Sequence, residues 1–289
     1  MQDLHVASQY AGCKSGVGRR VGEAACSQAF GGGWNNVPEV RLCFRESSLR
    51  LRRLPFALQH DLQRRYDVRR MKLFHGTTTA FLASIQRHGL RPRKTEASNW
   101  KQNPSRSDMV YLTTAYPFYF ATMSRDEKVV VVFEIDAKKL DKDRLYPDED
   151  YVTHVAQVRH GKPLAEEQKR HACDNLDLFR GMWRKSLAFL GNCAYRGTIP
   201  PKVITRYCLF DSAARPDLAF HCMDASINPL NYQFQGRQFA QVVGWFFGDR
   251  KLLPMIVEAE SDEERKFWLA QSKDRTGIEV VTVRKGGKS

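Results

Sequence analysis

Seven residues, Val129-Val-Val-Val-Phe-Glu-Ile135, do most to restrict what this chain can fold into. The run is dominated by β-branched side chains, which are stiff at χ1 and favour extended backbone. It does not alternate apolar with polar residues, so it reads as a central strand covered on both faces. A chain of 289 residues that is 42% apolar can build such a core, as one large domain or as a domain with an appendage.

Upstream lies Met71-Lys-Leu-Phe-His-Gly-Thr-Thr-Thr-Ala-Phe-Leu-Ala-Ser-Ile-Gln-Arg-His-Gly-Leu-Arg-Pro92. It reads as a short strand over 72–74 that stops at His75-Gly76, with Thr77 or Thr78 capping an amphipathic helix that carries Phe81, Leu82 and Ile85. Gly89 and Pro92 end that helix. A His beside a Gly and a helix N-terminus can hold a polar, phosphorylated ligand: the His gives a donor, the Gly lets a ligand approach and the helix end offers N–H groups. On the residues alone, a strand-Gly-helix joint with no ligand fits as well.

The rest of the chain supplies further elements. Residues 1–40 lack a hydrophobic period, and 41–70 are arginine-rich, so 1–70 is expected to be a disordered basic extension. Met71 stands directly before the organised part, which suggests an upstream extension of the reading frame. Residues 91–108 form a long polar, basic loop. Residues 109–113 read as a strand and 114–124 as a helix with Pro117 in its first turn. A turn over 136–143 and an acidic, aromatic loop over 145–151 follow. Residues 164–189 read as helix, with Leu176, Phe179, Met182 and Trp183 on one face. Residues 191–211 give two short strands hinged at Pro200-Pro201. The tail has an apolar helix around 239–247, then a β-α-β-like unit: 252–258, a helix capped by Ser261 with Glu264 in the capping-box position, and 278–283.

The formal net charge is +14 and the pI about 9.6, so the surface attracts anions such as nucleic acid, an acidic protein face or a dinucleotide. No apolar run approaches the roughly 20 residues that span a bilayer, and no apolar h-region opens the sequence. The seven cysteines (Cys13, Cys26, Cys43, Cys173, Cys193, Cys208, Cys222) form no C-x-x-C pair. That pattern argues for reduced thiols in a cytoplasmic protein and against a zinc site.

Four segments taken together, His75-Gly76-Thr77, the helix ending in Gly89-Leu90, Val110-Tyr111-Leu112-Thr113 and Ile199-Pro200-Pro201-Lys202-Val203-Ile204, resemble the ADP-ribosyltransferase superfamily. Within it they are similar to the His-Tyr-Glu branch: poly-ADP-ribose polymerases, diphtheria-type toxins, tRNA 2′-phosphotransferases and DNA-targeting ADP-ribosyltransferase toxins. The resemblance covers about residues 71–211. It implies an α+β fold, a split antiparallel β-sheet core with flanking helices that clasps NAD⁺, followed over 212–289 by the C-terminal helix and β-α-β-like extension packed on the core. It implies that His75 bonds ribose hydroxyls, that Gly76 and Thr77 flank the nicotinamide amide, and that Tyr111 with Tyr119 or Phe120 clamps its ring.

The resemblance also implies a Glu on the strand before the Ile-Pro-Pro turn, to stabilise the oxocarbenium-like state reached when the nicotinamide–ribose bond breaks. That strand reads Gly191-Asn-Cys-Ala-Tyr195, without a carboxylate. Asn192, then Cys193, are the residues at this third position. Asp211, Glu134 and the Asp148-Glu149-Asp150 cluster are other carboxylates that the fold could bring into the cleft, though each reads first as a surface or strand-end residue. The implied activity is NAD-dependent mono-ADP-ribosyl transfer to a macromolecular acceptor, with DNA or RNA favoured over protein and no metal. A 2′-phosphotransferase-like enzyme acting on RNA, and an inactive module binding NAD or nucleic acid, are the alternatives.

Overall fold

The computed structural model describes residues 71–93, 106–123, 127–161, 165–226 and 232–283. The expectations for 1–70, and for the middle of the basic loop at 94–105, lie outside the described residues. Seven strands are present: β1 (Lys72–Thr78), β2 (Met109–Thr113), β3 (Val129–Asp136), β4 (Leu145–Pro147), β5 (Asn192–Arg196), β6 (Ile204–Asp211) and β7 (Ile278–Thr282). They form one sheet in the order β4-β5-β2-β1-β3-β6-β7, antiparallel at every junction. The helices are α1 (Leu82–His88), α2 (Pro117–Thr122), α3 (Glu149–His160), α4 (Glu166–Asp174), α5 (Trp183–Leu190), α6 (Pro216–Ser226), α7 (Tyr232–Phe246), α8 (Leu253–Val257) and α9 (Asp262–Gln271). The described residues are α+β, and none of their helices is long and apolar enough to cross a membrane.

The valine run is β3, paired along its length with β1 on one side and β6 on the other. Val130, Val131, Val132, Phe133 and Ile135 have no exposed surface. Each such side chain contributes roughly 1.5–3 kcal/mol of burial free energy. Glu134, the one carboxylate in the run, is 4% exposed and stays compatible with burial because it is fully paired. Arg206 donates to it at 2.7 and 3.0 Å, Lys72 at 2.9 Å and Thr205 at 2.6 Å. Burial alone would raise this carboxyl, but the bonds from Arg206, Thr205 and Lys72 hold it below its ordinary value.

Side chains alternate across the sheet, so each strand feeds two layers. On one face Leu73, Val131, Phe133, Val110, Leu112, Cys193 and Tyr195 pack with Ile85 of α1 and with Trp183 and Leu187 of α5. On the other, Phe74, Val130, Val132 and Phe210 pack beneath Phe118 of α2, Leu218 of α6, Phe246 of α7 and Trp268 of α9. Towards the β4 edge, Met109, Tyr146 and Ala194 pack with Val152 of α3, Leu176 and Phe179.

The sheet has a waist. β1 registers with β3 at all seven of its residues, but with β2 at a single pair, Phe74 with Thr113. Across that waist, Leu90 and Ile199 exchange two backbone bonds of 2.9 Å, joining the end of the first motif to the Ile-Pro-Pro turn. Gly89 is required there: its φ is +78°, and a Cβ would lie 2.0 Å from the Ile199 carbonyl oxygen.

Several local expectations are corrected. β1 does not stop at His75-Gly76 but runs to Thr78, because β3 offers a pairing partner as far as Val130. The following helix opens with a 3₁₀ turn, Thr79–Phe81. Neither Thr77 nor Thr78 caps it with a side chain; instead Glu127 accepts from the N–H and hydroxyl of Thr79 at 3.1 and 3.3 Å. Residues 145–151 are β4 and the start of α3, whose N-cap Asp148 accepts from Asp150 N at 3.0 Å. The long helix expected over 164–189 is broken at Asn175 into α4, a 3₁₀ segment (Leu176–Met182) and α5.

The tail is helix-helix-strand, not β-α-β. Residues 252–258 fold as α8, with Pro254 in its first turn, where a missing N–H does no harm. The Ser261 cap is present and accepts from Glu264 N at 3.0 Å, while the Glu264 carboxylate accepts from Glu260 N, one residue before the cap.

Candidate functional site

The site is built on the waist between β1 and β2. His75, half-buried on β1, reaches across the gap and its Nδ1 lies 2.8 Å from the Tyr111 carbonyl oxygen. A carbonyl only accepts, so Nδ1 carries the proton and Nε2 is left with a lone pair. Burial pushes the His75 pKa down, and the charge of Arg93 adds to this, against the raising effect of the Tyr111 carbonyl. The ring is therefore neutral at physiological pH. The donor expected at this position is used internally, and what His75 presents to a ligand is an acceptor suited to a hydroxyl.

Gly76 packs tightly against α2. A Cβ at this position would meet the Pro117 carbonyl oxygen at 1.8 Å, so the close approach that glycine permits is made by the backbone of α2. Thr77, buried on β1 opposite Val131, shares His75's side of the strand.

Tyr111 is held at both ends. Its carbonyl takes His75, and its hydroxyl donates to Glu149 Oε1 at 2.5 Å while accepting from Arg106 N at 2.9 Å. Its ring packs on the Met109–Tyr146–Val152 cluster. Burial and the Glu149 carboxylate keep the phenol protonated far above its ordinary value. Glu149 belongs to the acidic cluster that reads in the sequence as surface, yet it lies against the second motif. Burial pushes its carboxyl up to about 7, against the lowering effect of the Tyr111 hydroxyl. Asp148 is raised by burial and by the neighbouring charges of Asp150 and Glu149.

Asn192 occupies the third position, directly across the ladder from Thr113 and two residues along β5 from Ala194, the partner of Tyr111. Antiparallel alternation puts Asn192, Ala194, Tyr111 and Thr113 on one face. Asn192 is 8% exposed and its Oδ1 has no hydrogen-bond partner. A buried serine of α5 fixes this corner: Ser186 Oγ accepts from Asp148 N at 3.0 Å and donates to Asn192 O at 2.8 Å. The N-terminus of α3 and the first residue of β5 are thereby held on one side chain.

Other candidates fall outside this group. Cys193 points into the opposite core layer, and burial raises its thiol far above the ordinary value, so it is not a nucleophile. Tyr119 is buried with Ala115, Tyr116, Tyr232 and Phe239, in a different cluster from the one Tyr111 packs on. Phe120 lies against that same cluster. Asp211 serves the turn after β6, accepting from Ala213 N and Ala214 N, and Glu134 is committed to its ion network. Among the described residues no group of three or more His, Cys, Asp or Glu is placed to hold a metal ion.

Ser186 and Arg106 were not visible in the sequence as site residues. Glu149 carried one signal, since an acidic run before an apolar period marks a helix start. Nothing local showed that this start would meet β2. No protein-family model matches this sequence, and no curated protein matches it.

Proposed function

We propose that this chain is an NAD⁺-dependent mono-ADP-ribosyltransferase that moves ADP-ribose to a macromolecular acceptor and releases nicotinamide. The observation that carries the reading is the His75–Tyr111 bridge across the waist of the sheet. It brings the two motifs of the resemblance together and leaves His75 Nε2 as an acceptor. A ribose hydroxyl is a donor that fits it. The buried, unpartnered Oδ1 of Asn192 on the Tyr111 face is a second acceptor in search of a donor. The Leu90–Ile199 bridge joins the two remaining motif segments.

Breaking the nicotinamide–ribose bond develops positive charge at the ribose carbon, and a ring of acceptors with a nearby carboxylate favours that change. The net charge of +14 supports an anionic acceptor, and nucleic acid is favoured over protein. The test is incubation with labelled NAD⁺ and mixed DNA, RNA and protein acceptors. Label should transfer, and His75→Ala should weaken NAD⁺ binding about tenfold, the equivalent of one hydrogen bond. Absence of transfer together with unchanged NAD⁺ affinity in that variant refutes the reading.

A second reading draws on the uncharged Asn192 at the third position. In a 2′-phosphotransferase-like enzyme the RNA 2′-phosphate is itself the nucleophile and needs no base. Loss of an internal RNA 2′-phosphate with consumption of NAD⁺ decides for it.

A further inference from the structure

We infer that the open edge of β7 is a self-association surface, and that two copies of this chain pair there as antiparallel strands, β7 against β7, across a two-fold axis. The inference stands apart from the NAD⁺ reading.

β7 is the last strand in the sheet order, and among the described residues it pairs with β6 alone. The ladder fixes which backbone groups point outward. Gly277 O accepts from Asp211 N at 2.8 Å, and Val283 N donates to Thr205 O at 3.0 Å, so the odd-numbered residues turn their groups to β6. These groups alternate along an antiparallel strand, so those of Val280 and Thr282 point away from the sheet. The Ile278 N–H is taken by Arg275 O at 3.1 Å, and its carbonyl continues the outward row. Val280 is 36% exposed, and Glu279 and Thr282 are exposed as well.

The two edges of the sheet differ. β4 has three residues, all buried, and ends in Pro147, which has no N–H to offer a further strand. β7 has five residues, four of them β-branched, and no proline, lysine or bulge blunts it.

Charge and symmetry select the occupant. After Val283 the sequence reads Arg284-Lys285. A strand from the arginine-rich segment 41–70 would bring like charge to that end of β7. A second β7 brings the opposite charge. In an antiparallel pair that sets Thr282 against its own copy, the two threonines exchange both backbone bonds. Glu279 of each chain then stands opposite Lys285 of the other, at a pair where side chains come closest. Two strands alone bury less than the roughly 1,200 Å² of a standard interface, so the dimer should be weak, with a Kd on the order of 1–100 µM.

The test is sedimentation velocity of the full chain over about 1–300 µM, where monomer should give way to dimer. Val280→Pro removes an outward N–H and no bond to β6. That variant should melt within about 5 °C of wild type while its dimerisation weakens about tenfold or more. Glu279→Lys should weaken dimerisation by about 3- to 10-fold, and adding Lys285→Glu should restore it.

A wild type that stays monomeric throughout, or a folded Val280→Pro variant that dimerises like wild type, overturns the inference. So does a monomer whose Val280 and Thr282 amides resist hydrogen exchange, because a segment of the same chain would then cover the edge. If Val280→Pro does not fold, the charge pair decides: a double variant that fails to regain dimerisation rejects the β7 pairing.

Discussion

Glu149→Gln makes a prediction about stability that does not depend on any activity. The ordinary value of this carboxyl is 4.5, and in the fold it is pushed up to about 7, chiefly by burial. The native state therefore binds this proton more tightly than the unfolded chain does. That contribution is fully present below about 4.5 and is lost as pH rises through about 7. The interval corresponds to about 3 kcal/mol at most. Residual exposure of Glu149 reduces the expected effect to roughly 1–2 kcal/mol.

A glutamine never ionises and can accept the same bond from Tyr111. At pH 5 variant and wild type should melt together, and at pH 8 the variant should be more stable by roughly 1–2 kcal/mol, or about 2–8 °C in Tm. Thermal and urea denaturation at the two pH values, at constant salt, measure it. A variant that is less stable than wild type by the same amount at both pH values would refute the reasoning, because Glu149 would then be ionised throughout.

Three further outcomes follow from the geometry. Gly76→Ala places a methyl 1.8 Å from the Pro117 carbonyl oxygen and must displace α2 from β1, so urea denaturation should show a loss of about 1–3 kcal/mol or more. Ser186→Ala removes the hydroxyl that bonds both Asp148 N and Asn192 O and should destabilise by about 1–3 kcal/mol; an effect below about 0.5 kcal/mol in denaturant titration would show that the corner is not held this way. Glu134→Gln removes one of the two carboxylates that Arg206 and Lys72 share, Asp249 remaining, and should lower stability at pH 7 by about 1–3 kcal/mol. Because the folded pKa of Glu134 is depressed, its contribution exists above the unfolded value and disappears as pH falls through the folded one, so variant and wild type should converge in acid.

What the sequence determined by itself was local and periodic. The run 129–135 is β3, residues 109–113 are β2 and the Ser261 cap opens α9, because β-branched density, apolar spacing and a capping hydroxyl act within a few residues of chain. Where two elements compete for the same residues, local signals failed. His75-Gly76 looked like a stop but is strand, since only the neighbouring β3 could supply partners, and 252–258 looked like strand but carries Pro254 into a helix.

The site depended on tertiary structure almost entirely. His75 and Tyr111 were legible as motif residues, but not that one ring nitrogen would be consumed by the other's carbonyl. Gly76 was legible as a close approach, though not that α2 would make it. Glu149 looked like a surface charge because its sequence neighbours are acidic. Its hydrogen bond from Tyr111, 38 residues away, forms where β4 pairs with β5 and Ser186 bonds both Asp148 N and Asn192 O, and no spacing along the chain encodes a contact of that kind.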